Sequence, residues 1–277
     1  MEQFTVITAA NKWFGILPFP VSFEPLFDQL LVRVQKLELC AFEDYDLSGN
    51  KSDFEKNLIM FLFFCEELSY QYKVAGIPKE ILHATLEDLP TRVKRHYDMT
   101  GTLGLSGTRW IAPIMQMKQF RLGRLVFCMH TASIDVLEKG ICKGDPVVDI
   151  HVPGGSPLTP ESCEASLAQA ELFFSKFFPD YKYYWYTCHS WLLDDILVDF
   201  LKPESNILRF ANLFEPVFSH PEDSILHFVF KYGIKTRTEL HNCSADTEFA
   251  QKVKEYALAG GVFHNTLGIR PRKGSIR

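Results

Sequence analysis

Hydrophobic and polar positions along the chain change rhythm once, near Gln119. Before it the apolar residues recur at helical spacing. Leu26, Leu30, Val34 and Leu37 predict a helix within 23–39, after Pro25, and Pro18, Pro20 and Pro25 predict that no earlier helix forms. Ser52 followed by Glu55 reads as a capping box opening a helix that runs to about Tyr72. Ile81, Leu82, Leu86, Leu89 and Val93 predict a second helix over 79–97, kinked or restarted at Pro90, and a short one follows over 108–117.

After Gln119 the rhythm shortens. Residues 120–130 (FRLGRLVFCMH) alternate and are rich in strand formers, as are 147–152 and the aromatic run 183–190. Between the last two, Thr159 and Pro160 suit the start of a helix whose stripe is Cys163, Leu167, Ala170, Phe174 and Phe177, stopped by Pro179. Short helices over 194–201 and 205–214, a strand over 225–232 and a helix over 246–258 complete the reading, and Gly260-Gly261 opens the C-terminal segment. The expected fold class is α+β: a mostly helical N-terminal domain, 1–118, followed by a mixed-sheet α/β domain, 119–277.

Composition narrows the function classes. A net charge of −5, with basic residues gathered only at the tail (Arg270, Arg272, Lys273, Arg277), gives no general field for nucleic acid. The longest apolar run, 58–65, is far too short to span a bilayer, and the N-terminus lacks a secretory pattern, so the expectation is a cytoplasmic protein without membrane partners. Seven cysteines without CxxC spacing fit buried thiols in a reducing compartment. The 24 phenylalanines promise an aromatic core.

Candidate chemistry concentrates around VVDIHVPGGSPLTPE, 147–161, where a strand, a glycine turn and a helix N-terminus offer backbone N–H groups to an anion. Strand alternation places Asp149 and His151 on one face and Val148, Ile150 and Val152 on the other. His151 is thus a candidate general base oriented by Asp149, with a half-buried structural histidine as the competing reading. Cys188 and His189 point to opposite faces of their strand, so they cannot serve each other, and buried cysteine is the preferred reading of Cys188. Histidines and cysteines here lack metal-ligand spacing, and 154–158 is no GxSxG elbow because Leu158 holds the last glycine position. Arg121, Arg124 and Arg209 are cations close to these elements, available for a phosphate or for ion pairs.

The phrases RLGRLVF (121–127), GDPVVDIHVPGGSPLTPESCEASLAQAELFF (144–174), CHSWLL (188–193) and SNILRF (205–210) resemble the acyltransferase-domain-containing proteins common in Firmicutes. These join a helical N-acyltransferase N-terminal domain to a GNAT-like C-terminal domain. The resemblance implies transfer of an acyl group from acyl-CoA, acetyl-CoA first, to a small-molecule or peptide amine by direct attack. It places the coenzyme on Val152, Gly154, Gly155 and Ser156, with Asn206 heading a following helix and Arg124 and Arg209 as supporting cations. It also implies that strand 183–190 splays from strand 147–152, and that a tyrosine or serine, here Tyr186 or Ser190, protonates the departing thiolate. The loop departs from the usual Q/R-x-x-G-x-G/A. Pro157 and Pro160 lack N–H donors, and Glu161 and Glu164 oppose an anion at the helix start, each by about 0.3–1 kcal/mol. A catalytically silent GNAT-like ligand- or partner-binding protein is the alternative, and a thiol-dependent hydrolase a distant third.

Overall fold

The computed structural model describes residues 2–34, 37, 39–230, 234 and 237–273. The chain divides into two compact units, Met1–Arg121 and Leu122–Arg277.

The first unit is helical: α1 (Glu2–Ile16), α2 (Glu24–Arg33), α3 (Phe54–Val74), α4 (Lys79–Leu86), α5 (Asp88–Thr100) and α6 (Thr108–Met115). An early helix therefore does form, against expectation. It ends before Pro18, so the prolines bound it rather than prevent it, and Val6, Ala9, Ala10, Trp13 and Phe14 bury one stripe. Phe14 stacks on Phe27 of α2 at 4.0 Å. The α2 helix ends earlier than its apolar spacing suggests. Leu37 is buried outside it, and Gln35, Lys36 and Glu38 from that expected helix lie outside the described residues. The cap of α3 is Asp53, not Ser52, and its Oδ1 accepts from Lys56 N at 3.2 Å. Every residue from Leu58 to Leu62 is buried, so α3 is the core helix here. Pro90 sits in the first turn of α5, where its missing N–H costs nothing.

A six-stranded sheet, in the order β1-β2-β3-β4-β6-β5, has its first strand at the boundary and the other five in the second unit. The strand expected over 120–130 is a hairpin, β1 (Gln119–Leu122) and β2 (Leu125–Thr131), because Gly123 turns the chain at φ +70°. β3 (Pro146–His151) pairs antiparallel with β2, α7 (Pro160–Phe177) follows, and β4 (Trp185–Ser190) returns parallel to β3. Then come α8 (Leu197–Phe200), α9 (Asn206–Ala211), β5 (Glu215–Pro221), α10 (Ser224–Val229), α11 (Arg237–Leu240), α12 (Glu248–Leu258) and β6 (His264–Pro271).

The strand expected over 225–232 is a correction. Ile225 and Leu226 lie on helix α10 and, with Phe230, bury against Val253 and Ala257 of α12, a helical spacing rather than an alternating one. Lys231 and Tyr232 of that expected strand lie outside the described residues. The last two strands come from 215–221 and 264–271 instead, and β6 inserts between β4 and β5. Among the described residues no helix is long and apolar enough to cross a membrane.

Candidate active site

The parallel ladder between β3 and β4 is confined to Val148–Tyr186 and Asp149–Thr187. Beyond that point Ile150 and His151 have no ladder partner on β4, whereas β4 stays paired with β6 out to Ser190. The two strands therefore open from each other at the carboxyl end of β3, where an α/β sheet exposes unpaired backbone groups to a ligand.

Three side chains meet on one face at this opening. His151 Nε2 lies 3.5 Å from Asp149 Oδ2, as the period of two on β3 requires. Thr187 on β4 donates its hydroxyl to Asp149 Oδ1 at 2.7 Å, which leaves that carboxylate a fixed acceptor. The imidazole is 36% exposed while the carboxylate is 18% exposed, so the ring stands between Asp149 and the solvent. That contact sets the imidazole beside a carboxylate able to offset a positive charge on the ring.

The loop that follows is open. Gly154, Gly155, Ser156 and Pro157 are exposed, Gly155 has φ +93°, and neither glycine's missing Cβ would meet any atom within 4 Å. The backbone N–H groups of Val152, Gly154, Gly155 and Ser156 form no backbone hydrogen bond among the described residues. Thr159 caps α7, its hydroxyl accepting from Ser162 N at 3.3 Å.

Arg124 ties this loop down. Its Nη1 donates to Pro153 O at 2.7 Å and its Nε to Pro157 O at 3.1 Å, so one planar guanidinium spans both ends of the glycine turn. Arg124 is itself placed by Ser166 of α7, whose Oγ accepts from Arg124 N at 2.7 Å. A side chain at Gly123 would sit 2.8 Å from that oxygen, so glycine is needed there for space as well as for φ. The two glutamates at the start of α7 differ in setting. Glu161 is exposed, while Glu164 is paired with Arg270 at 3.0 Å and lies 3.8 Å from Lys273 Nζ, which offsets its repulsion of an anion.

Other residues singled out from the sequence lie elsewhere. Tyr186 points to the opposite face from Asp149, under α7, where its hydroxyl meets Glu171 Oε1 and Tyr183 Oη, each at 3.0 Å. Burial, reinforced by Tyr183 and Glu171, pushes its phenol far above the usual range. Arg272 pairs with Glu171 at 2.7 Å and lies over the Tyr183 ring, so this is an internal polar network between α7 and the end of β6. Replacing Tyr186 by phenylalanine is expected to cost about 1–3 kcal/mol in denaturant unfolding and to leave turnover unchanged. Ser190 ends β4 with its Oγ accepting from Leu192 N at 3.1 Å, a cap for the 3₁₀ turn Trp191–Leu193. Asn206 begins α9, which packs against α7, and Arg209 of α9 is exposed. Arg121 pairs with Glu87 at 2.6 Å.

Cys188 is fully buried, and burial, with the nearby Asp149 charge, pushes its thiol well above the ordinary value. It is therefore no nucleophile. In folded protein at pH 8, iodoacetamide is expected to alkylate exposed Cys142 and to spare Cys188, read by peptide mass spectrometry. Alkylation of Cys188 at the rate of Cys142 would contradict its burial.

Sequence reasoning missed His220, Glu222 and Asn265. They come from β5, its end and β6, strands whose alternation was not recognised. His220 Nε2 is 3.6 Å from Glu222 Oε2, and Asn265 Nδ2 donates to the same oxygen at 2.6 Å.

An acyl-transfer architecture is what this helical unit, opened parallel pair and glycine loop describe. The GNAT-like C-terminal domain model matches residues 119–270, and the N-acyltransferase N-terminal domain model matches residues 33–117. The chain belongs to the GNAT-like C-terminal domain family, joined to an N-acyltransferase N-terminal domain. The chain is also similar to a crystal structure of an acyltransferase in complex with decanoyl-CoA and teicoplanin. That match has a TM-score of 0.70 at 27% identity and covers 82% of this chain and 69% of that one. A mutant acyltransferase in complex with octanoyl-CoA matches with the same values. An acyltransferase in complex with decanoyl-CoA matches with a TM-score of 0.69 at 25% identity, over 90% of this chain and 76% of that one. No curated protein matches the chain.

Proposed function

We propose that the protein transfers a medium-length acyl group from acyl-CoA to an amine on a small-molecule acceptor by direct attack, with His151 as general base. The observation that carries this reading is the His151–Asp149–Thr187 array at the point where β3 and β4 part. Acyl-CoA as donor is supported by the decanoyl- and octanoyl-CoA complexes of the similar acyltransferases, which also favour a longer chain over acetyl. A small-molecule acceptor is supported by the teicoplanin complex.

The amine lone pair attacks the thioester carbonyl carbon, a C–N bond forms, and the carbonyl electrons move onto oxygen. The ammonium proton passes to His151, directly or through water, and Asp149 offsets the charge. The tetrahedral intermediate collapses, the C–S bond breaks, and the leaving thiolate takes the proton that His151 accepted, directly or through water, which restores the base. In this scheme the backbone N–H groups near Val152 and Gly154 receive the oxyanion and those of Gly155 and Ser156 the coenzyme phosphate, a reading supported by their having no backbone hydrogen bond among the described residues. Arg209, exposed on α9, is the assigned phosphate cation, and Asn206 supports the same end; Arg124 holds the loop. Tyr186 has no part in this scheme, because its hydroxyl serves the α7 network, and Ser190 is assigned to capping the 3₁₀ turn.

Calorimetric titration with acetyl-, octanoyl- and decanoyl-CoA tests the donor. Saturable binding that tightens from acetyl to decanoyl is expected. Absence of binding by every thioester would sink the reading, and binding without transfer to any amine would replace it with a ligand-binding role.

A further inference from the structure

The face of the sheet that carries Asp149 and His151 continues past them. Thr187, bonded to Asp149, fixes that face on β4, and His189 lies on it two residues further along. Ladder partners place Leu267 opposite His189, Phe218 opposite Leu267, and His220 opposite Asn265. His151, His189, Phe218 and His220 thus share one face across β3, β4, β6 and β5. At the other end the same face is closed, with Val147 and Ile269 buried beneath Ala132, Val136 and Ile141. Among the described residues, the exposed side chains His189 and Phe218 lie at the end where β3 and β4 part.

Planar side chains pave this end. The His189 and His220 rings lie 5.1 Å apart at 58°, and Phe218 and His220 lie 6.0 Å apart at 28°. Phe218 is 47% exposed and His189 is exposed, so the ring faces are not used up in the core. Beside them, Glu222 is held by Asn265, and Asn265 Oδ1 is buried without a hydrogen-bond partner among the described residues. Ring faces flanked by a carboxylate and a carboxamide suit a ligand that presents flat faces and hydroxyl or ammonium edges.

We infer that His189, Phe218 and His220 form the acceptor-binding shelf, and that it selects an amine carried on a ring system of two or more rings. The size follows from strand spacing. Three neighbouring strand intervals of about 4.8 Å each put β5 roughly 14 Å from β3, more than a single ring covers. The inference rests on the proposed transferase reading for its reaction, and on the shelf alone for its binding.

The test uses the full chain with 4-nitrophenyl 2-amino-2-deoxy-β-D-glucopyranoside as the ring-bearing amine and 2-methoxyethylamine as the ring-free one, at saturating decanoyl-CoA. Phe218→Ala and His220→Ala are each expected to raise KM for the aryl amino sugar about tenfold, the equivalent of one well-placed ring contact. Kinetics with the ring-free amine and the Kd for decanoyl-CoA should stay unchanged, and Phe218→Tyr should restore the wild-type KM. Equal effects on both amines, or none on either, would overturn the shelf. Binding of the aryl amino sugar, followed by calorimetry without any thioester, separates the two readings. If transfer is absent yet the sugar binds and Phe218→Ala abolishes that binding, the shelf stands and the transferase reading falls. If transfer proceeds but the sugar does not bind, the shelf falls alone.

Discussion

His151→Ala is expected to lower kcat for acyl transfer by about 10²–10⁴, the range over which a positioned general base acts. The Kd for decanoyl-CoA should stay at the wild-type value. This separation follows from geometry. The imidazole lies 3.5 Å from Asp149, which accepts from Thr187, and all three lie on the face away from α7. Asp149→Asn should also lower kcat, since a neutral amide no longer offsets the charge that His151 gains as base. Thr187→Val should act in the same direction more weakly, because it frees the carboxylate without removing it. Measuring kcat and calorimetric Kd on the same three variants checks the order. Loss of coenzyme binding in His151→Ala would place the residue in binding rather than chemistry.

Arg124→Ala is expected to weaken decanoyl-CoA binding by about ten- to a hundredfold. Each hydrogen bond from a charged donor contributes about 1.5–3 kcal/mol, and 1.4 kcal/mol corresponds to a factor of ten. The guanidinium holds Pro153 O and Pro157 O together, so its removal frees the whole turn whose N–H groups the coenzyme needs. Entropy then opposes binding, because the loop must be ordered by the ligand itself. The informative variant is Arg124→Lys. A lysine keeps the charge but presents it as a single point, and it cannot bridge two carbonyls in one plane. If Arg124 acts as a brace, Arg124→Lys resembles Arg124→Ala. If it acted as a phosphate ligand, Arg124→Lys would bind almost as the wild type does, and the brace would be refuted.

What could be read from the sequence follows the distance over which each element finds its partners. The α3 helix was legible because its apolar run and its cap lie within a few residues, and even there Asp53 rather than Ser52 supplies the cap. The β3–α7–β4 unit was legible for the same reason, with Thr159 and Pro160 marking the helix start. β6 was not. It finds both neighbours far away in the chain, β4 on one side and β5 on the other, and Gly268 interrupts its alternation to make room for Phe214 and Leu193. Ile225 and Val229 are strand formers in isolation, and packing against α12 favours the helix. The site divides in the same way. Asp149 and His151 could be paired from strand alternation alone. Thr187 could not, because the register between β3 and β4 is a tertiary fact. Tyr186 shares a strand with Thr187, yet one residue of offset turns it to Glu171 and out of the opening. Arg124 was found as a nearby cation, but its partners are carbonyls that only the folded turn brings together.

The most direct test of His151-assisted direct attack is product analysis by mass spectrometry after mixing the protein with decanoyl-CoA and an amine acceptor. The predicted result is an N-decanoyl product and free CoA thiol in equal amounts, no acyl group on the protein, and both products lost together in His151→Ala. A decanoyl group attached to the protein, or turnover unaffected by His151→Ala, would contradict it.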